Sequence, residues 1–279
     1  MAILILANNI SGSGKGIQLL FRIEQFLSEK KVQFTSFINE WPSDFNSYSY
    51  VWLIGGDGTL NYFLNKYNSI DIPIAIFKGG TGNDFAWKLY GDIDLTNQID
   101  LILKSTAKPV DIGIFNNHFF INGVGIGFDG EILKQMKKIR WLGGHFGYLF
   151  VVIKKIFSYT EKFFKITFSN TIISEKLLLL SVFNSSRTGG GFFIAPTAEI
   201  NDGFLNLILC KPLSIKKRLF NLPKIEKGKH LQLPFINHQL IKKIYIECDE
   251  ETAAQIDGEL FFSKTFEISI LEKKLHFLY

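Results

Sequence analysis

The chain has 279 residues, 47% of them hydrophobic and 20% charged, which is enough for one large or two ordinary globular domains. Its formal net charge of +5 is a mild bias, and no segment joins dense Lys/Arg to base-reading polar residues, which argues against nucleic acid as a partner. The two cysteines, Cys210 and Cys248, stand in no metal-ligand spacing; so few argue against a disulfide framework, and a reducing cytoplasm fits.

The N-terminal run Met1-Ala2-Ile3-Leu4-Ile5-Leu6-Ala7 lacks a basic leader and reads as a buried strand over Ala2–Ala7, not a signal peptide. Apolar residues at Ile17, Leu20, Phe21, Ile23, Phe26 and Leu27 predict a helix between Gly16 and Lys31. Val32–Phe37 alternates as a strand does, and Trp41–Ser49 reads as loop or short helix. Two further strands, Tyr50–Ile54 and Ile72–Phe77, each run into a glycine-rich loop and then a helical pattern. This βαβα order predicts a parallel sheet covered by helices on both faces.

From about Pro109 the texture changes to short β-rich runs: Val110–Phe115, Phe119–Ile126, Phe164–Phe168, Leu177–Phe183, Phe204–Leu209, Ile244–Glu247, Glu259–Phe262 and Phe266–Leu271. They predict an antiparallel β-sandwich, interrupted by one long helix over roughly Gly130–Phe157. Leu275–Leu278 reads as a last strand returning to the first domain. The expected organisation is an α/β nucleotide-binding domain at 1–108, rejoined by 272–279, and a β-sandwich domain at 109–271. The active site is expected in the cleft between them.

The chemistry concentrates in glycine loops. Strand, glycine loop and helix N-terminus together offer bare backbone N–H groups to a phosphate. Gly55-Gly56-Asp57-Gly58-Thr59 is the sharpest case, with Thr59 able to cap the next helix and Asn61 one turn inside it. Asp57 would reach either Mg²⁺ or an acceptor hydroxyl. It is expected in a turn, not a core, so that its removal leaves the fold intact. Gly79-Gly80-Thr81-Gly82-Asn83-Asp84 repeats the arrangement, with Thr81 and Asn83 able to bond a nucleotide and Asp84 a charge partner. Ser11-Gly12-Ser13-Gly14-Lys15-Gly16 is either a phosphate loop or a plain βα turn; it is neither a Walker A loop nor a dinucleotide fingerprint.

Two acidic turns complete the set. Glu199-Ile200-Asn201-Asp202-Gly203-Phe204 offers the oxygen donors that hard cations favour, or is an ordinary hairpin turn. Asp257-Gly258-Glu259 taken alone also reads as a hairpin turn. None of the five histidines is assigned a catalytic role. The apolar stretch Trp141–Ile153, flanked by Lys137, Lys138, Arg140, Lys154 and Lys155, is too short to span a bilayer and is either a buried helix or a lipid-facing one. The basic run Lys211–Lys229, with Lys216, Lys217, Arg218, Lys224, Lys227 and Lys229, is either a solvated face or one attracted to anionic lipid.

In order, these motifs resemble the soluble diacylglycerol kinase, sphingosine kinase and bacterial lipid kinase family, whose fold is shared with NAD kinases. Asn8–Gly16 is similar to N-P-x-S-G-x-G-K-G, with Asn9 in place of proline. Gly55–Asn61 matches G-G-D-G-T-x-N, and Gly80–Ala86 matches G-T-x-N-D-F-A. Asn122–Asp129, Ala195–Ala198 with Asp202-Gly203, Gly228–His230 and Asp257–Glu259 follow in the family's order over nearly the whole length.

The resemblance implies an ATP- and Mg²⁺-dependent transfer of the γ-phosphoryl group to a lipid hydroxyl, with diacylglycerol the leading acceptor. It implies that Asn8, Asn9, Ser11, Gly12, Lys15, Gly55, Gly56, Asp57, Gly58, Thr59, Asn61, Thr81, Asn83 and Asp84 form the nucleotide site, joined by either Thr35 or Ser36. Glu259 falls at the general-base position, beside Asp257, and Asp57 at the position that organises catalytic Mg²⁺. Asp202, with backbone oxygens near Glu199 and Phe204, falls at a structural Mg²⁺ site. The expected partner is a lipid at a membrane surface, with room for a homodimer. The expected location is cytoplasmic and peripherally membrane-associated, without a transmembrane helix.

Overall fold

The computed structural model describes residues 2–138 and 144–279. It divides into two units, Met1–Val110 with Lys273–Tyr279, and Asp111–Glu272.

The first unit is a parallel sheet with helices. Its strands are β1 (Ala2–Ala7), β2 (Gln33–Ile38), β3 (Tyr50–Gly55) and β4 (Ile74–Lys78). Strand β1 lies between β2 and β3, and β3 pairs with β4, all in parallel. Residues Ile3–Ala7 and Val51–Ile54 are buried without interruption, the pattern of central parallel strands. Edge strand β2 alternates instead. The C-terminal strand joins this sheet where Phe277 pairs in parallel with Ile74.

The helices follow from stripes and caps. Helix α1 (Lys15–Glu29) buries Leu20, Ile23 and Leu27, one face of a 3.6-residue repeat. Helices α2 (Asp57–Lys66) and α3 (Asp84–Tyr90) start directly from the glycine loops. Helix α4 (Leu95–Lys104) begins where the Asp94 carboxylate accepts the N–H of Asn97 at 3.1 Å.

The second unit is β-rich. Along the chain it holds most of β5 (Ala107–Phe115), then β6 (His118–Phe120), β7 (Gly123–Ile126), α5 (Phe128–Lys138), α6 (Gly144–Ser158), β8 (Lys162–Phe168), β9 (Thr171–Leu177), β10 (Leu179–Phe183), β11 (Leu205–Cys210), α7 (Ile215–Glu226), β12 (Ile236–Ile241), β13 (Lys243–Ile256) and the start of β14 (Glu259–Leu278). Strands β12, β11, β10, β7, β13 and β14 are neighbours in that order, all antiparallel; β13 also pairs with β8, which pairs with β9. Its core joins Phe120, Phe164, Phe266, Ile166, Ile244 and Ile268, all essentially inaccessible to solvent. Each such side chain contributes roughly 1.5–3 kcal/mol of burial.

Several expected boundaries move. The helix expected over Gly130–Phe157 is two helices, α5 and α6; the start of the apolar segment, Trp141 to Gly143, and the flanking Arg140 lie outside the described residues. The three separate strands expected after Glu259 are one continuous β14. The basic run contains a helix, α7, that lysine density and Pro223 conceal from periodicity. Strands β9 and β12 were not expected either; both are half-polar, TIISEKL and INHQLI. Among the described residues no helix is long and apolar enough to cross a membrane.

Candidate functional site

In the first unit three glycine loops meet backbone to backbone. A Cβ on Gly12 would collide with the carbonyl oxygen of Gly79, and one on Gly80 with the Cα of Gly56. Only glycine permits such an approach. Where the loops face outward the space is open: nothing lies within 4 Å of a Cβ built on Gly14 or Gly58. Helix α2 starts at this point, and its Asp57 and Gly58 amides precede the first intrahelical acceptor-bound N–H, that of Thr59 to Gly56 at 3.0 Å. The loops thus leave open space at Gly14 and Gly58, beside the start of α2, and a helix start favours an anion.

The polar side chains hold these loops in register. Asn8 donates to Thr59 Oγ1 at 3.2 Å and accepts the N–H of Ile10 at 3.1 Å. The Asn9 N–H reaches Asn39 Oδ1 at 3.0 Å. Thr59 is buried inside α2 and does not cap it, because the helix begins two residues earlier with Gly56 as its cap. Asn61 is buried one turn on. Asn83 adopts a left-handed backbone, φ 52°, and closes its own loop: Gly80 N–H donates to Oδ1 and Nδ2 donates to the Gly80 carbonyl, each at 2.8 Å. Its amide thus braces the loop through one accepted and one donated bond, and its second N–H and second lone pair are the groups a nucleotide contact would use. Thr81 and Lys15 are exposed, and Ser11 and Gly12 are half-buried in a short turn ahead of α1.

Asp57 departs most from expectation. Its two carboxylate oxygens accept the N–H groups of Asp84 and Phe85, both at 3.0 Å. The carboxylate thus anchors the start of α3, where the helix dipole favours an anion. Asp84 itself is buried at that helix start.

The second unit holds the remaining acids. Asp257 and Gly258 are both left-handed, φ 47° and 85°, and Ile256 pairs with Glu259 across them. This is a two-residue β-hairpin of the tightest kind. The Asp257 carboxylate accepts three backbone N–H groups, from Ile121 at 2.7 Å and from Asn122 and Gly123 at 2.9 Å. Asp257 is thereby a positioning residue: it ties the hairpin to the 121–123 segment. Glu259, next along, is exposed, with Lys137 Nζ 3.9 Å from its carboxylate. Half-buried His118 also feels this carboxylate; burial lowers its pKa and the Glu259 charge opposes the shift.

In the turn at 199–204, Asp202 accepts the N–H of Phe204 at 3.0 Å, and both Asp202 and Glu199 are exposed. Gly203 N–H donates to Asp111 Oδ2 at 2.7 Å. Asp111 is fully buried, and the side-chain amide of Asn184 holds its carbonyl at 2.8 Å. Among the described residues no cluster of three or more His, Cys, Asp or Glu could hold a metal. The donors at 199–204 are the carboxylates of Glu199 and Asp202, the side-chain carbonyl of Asn201 and backbone carbonyls, an all-oxygen set compatible in type with a hard cation.

Sequence reasoning assigned no role to Asp111 or Asp129. Asp129 is wholly buried against Ser181, whose hydroxyl lies 3.3 Å from Oδ2. Burial pushes its carboxyl up to about 6, with the Ser181 bond opposing. It lines a narrow apolar cavity among α5, α6, α7 and strands β10 and β11, together with Ile132, Val152, Ile156, Leu179 and Leu222. The carboxylate within G-I-G-F-D-G was legible, but its burial was not.

Comparison with known proteins follows the same division. Residues 2–115 match the model of the diacylglycerol kinase catalytic domain, and residues 122–278 that of the YegS C-terminal NAD kinase beta sandwich-like domain. The chain belongs to the diacylglycerol kinase and bacterial lipid kinase family. It is 27% identical over 207 residues to a diacylglycerol kinase of Mycobacterium tuberculosis, an alignment that covers 71% of this chain and 66% of that protein. It is 29% identical over 269 residues to a Staphylococcus carnosus protein provisionally named a lipid kinase, covering 91% and 85%. A solved Bacillus anthracis structure, provisionally named a diacylglycerol kinase, shares the fold with a TM-score of 0.78 at 24% identity, covering 100% of this chain and 94% of that one. The lipid kinase fold is thus the fold of this chain.

Proposed function

We propose that this protein is an ATP-dependent lipid kinase that transfers the γ-phosphoryl group to a lipid hydroxyl, with diacylglycerol as acceptor and phosphatidic acid as product. The observation that carries the reading is the convergence of three glycine loops in the first unit. Their backbones touch at Gly12–Gly79 and Gly56–Gly80 and leave open space at Gly14 and Gly58. Such a cradle suits a polyphosphate. Asn8, Asn9, Ser11, Gly12, Gly55–Asn61 and Thr81 would bind the nucleotide, with exposed Lys15 adding positive charge.

Phosphoryl transfer is catalysed chiefly by positioning and by neutralising charge on the transferring group. Mg²⁺ bound with the nucleotide would supply part of that neutralisation, held by Asp57. A second Mg²⁺ would sit at Asp202 with the carbonyls of Glu199 and Phe204. Glu259 would accept the proton of the lipid hydroxyl as its oxygen attacks the γ-phosphorus. ADP leaves and the proton passes on to solvent. The turn that Asp257 ties down holds Glu259 in place.

A lipid acceptor needs apolar room, and the cavity bounded by α5, α6 and α7 supplies it in kind. Its volume is about 60 Å³, space for about two water-sized groups, so an acyl chain enters only if the helices part. This apolar slot favours a lipid over a soluble acceptor such as NAD. The test is transfer from γ-labelled ATP in a panel of diacylglycerol, sphingoid base, phosphatidylglycerol, polyprenol and NAD. Label in a lipid supports the reading; label in NAD alone, or nowhere, overturns it.

A further inference from the structure

Helices α6 and α7 show two unlike faces. Their inner faces pack together, with Val151, Val152 and Ile156 of α6 against Leu222 of α7, and both line the apolar cavity. Arg218 secures the pair: it donates to the carbonyls of Ile156 at 3.0 Å and Tyr159 at 2.9 Å, and pairs with Glu161 at 2.6 Å. Lys155 is likewise tied to Glu131 at 2.9 Å. These two cations are structural, which corrects the inclusion of Arg218 in a freely solvated basic run.

The outer faces carry what is left. On α6, Phe150, Ile153, Lys154 and Phe157 follow the i, i+3, i+4, i+7 spacing of a single face, and Phe150 and Phe157 are 54% and 58% exposed. On α7, Ile215, Lys216, Leu219 and Phe220 share one side through the i+3 and i+4 pairs 215/219, 216/219 and 216/220, with Lys217 beside them and Phe220 73% exposed. Lys224 lies over the Phe220 ring at 4.9 Å. Glu226, the last residue of α7, is the lone carboxylate in the two helices.

We propose that the outer faces of α6 and α7 form a docking surface for an anionic lipid bilayer. Exposed phenylalanines interleaved with lysines are the composition of a helix lying in a membrane interface. Lysine stems lie along apolar surface while the ammonium groups reach out to headgroups. The core of a protein–protein interface is depleted in lysine, so a lysine-interleaved face suits phosphate-bearing lipid better than a second copy of the chain. The surface also lies on the same two helices that line the apolar cavity, which would bring an acyl chain close to it. That last link, and the choice of bilayer as occupant, rests on the lipid acceptor proposed above.

The test is co-sedimentation of the whole protein with phosphatidylcholine vesicles, with and without phosphatidylglycerol, in the absence of ATP and of diacylglycerol. Two variant sets are compared with wild type, K154E/K216E/K217E and F150S/F157S/F220S. The charge-matched control is K104E/K176E/K264E, placed on exposed sites elsewhere. Wild type should bind the anionic vesicles, and raising salt from about 0.1 M to about 1 M should release it as the screening length falls from ~10 Å to ~3 Å. The lysine set should weaken partitioning by about a hundredfold or more, from about fivefold per charge. The phenylalanine set should weaken it at least about tenfold at low salt, and the control should bind as wild type does. Binding unaffected by either set, or reduced equally by the control, overturns the inference. So does a change of oligomeric state caused by the phenylalanine set without vesicles, which would make the face a protein interface. Vesicle binding by a protein that phosphorylates no lipid would leave the docking surface standing and remove the proposed function. Transfer to a short-chain soluble diacylglycerol without vesicle binding would do the reverse.

Discussion

The carboxylate of Asp57 accepts the N–H groups of Asp84 and Phe85, so Asp57→Ala unseats the start of α3 as well as removing a charge. The expectation of an intact, equally stable fold therefore changes. The variant should lose about 1–2 kcal/mol in urea denaturation, the scale of a lost helix cap. Transfer should fall by about two to three decades at a temperature where the variant remains folded. Unchanged stability would contradict the anchoring role, and unchanged transfer the role at the phosphates. Asp129 permits a second test. Its carboxyl is raised to about 6 by burial, above the unfolded value of about 3.9. The folded state therefore holds the proton more tightly, and this contribution is fully present below about pH 4 and lost as pH rises through 6. Asp129→Asn removes the cost of ionisation and keeps a polar group near Ser181. The variant should match wild type near pH 4 and exceed it by about 1–3 kcal/mol above pH 7. A stability difference that does not vary with pH would contradict a buried, ionising Asp129.

At the scale of elements, the decisive contacts run between backbone segments. Gly80→Ala would drive a methyl group into the Cα of Gly56. Both residues lie in ordinary backbone regions, so the clash alone, not backbone strain, carries the effect. The loops must separate, with a loss of about 1–3 kcal/mol and a fall in nucleotide affinity measurable by calorimetry. Wild-type affinity in Gly80→Ala would argue against a shared cradle. These loops were legible in the sequence because glycine after an apolar run reports local geometry. The parallel strands were legible for a similar reason, since Ile3–Ala7 and Val51–Ile54 are unbroken apolar runs. What stayed hidden is what spans the chain. Asp57 meets Asp84, Asp111 meets Gly203 and Asp257 meets Gly123 across 27, 92 and 134 residues. A carboxylate that anchors a distant backbone looks, in one dimension, like a carboxylate free for chemistry. Helix α7 was hidden because its buried Asn221 and Arg218 carry no apolar signal, and lysines dominate the rest.

At the scale of the whole molecule, the residues proposed for binding and for chemistry belong to different units. The glycine cradle lies in the first, and Glu259 in the second. Glu259 is exposed at a tight hairpin, and its exchange for Gln disturbs no packed core. Binding and chemistry should therefore separate in one variant. The most direct measurement is single-turnover transfer from γ-labelled ATP to diacylglycerol by wild type and Glu259→Gln, with ATP affinity measured alongside. Wild type should give labelled phosphatidic acid, and the variant should transfer more slowly by about two to four decades with unchanged ATP affinity. Equal transfer rates, or a variant that loses ATP binding yet turns over normally at saturation, would contradict Glu259 as the general base.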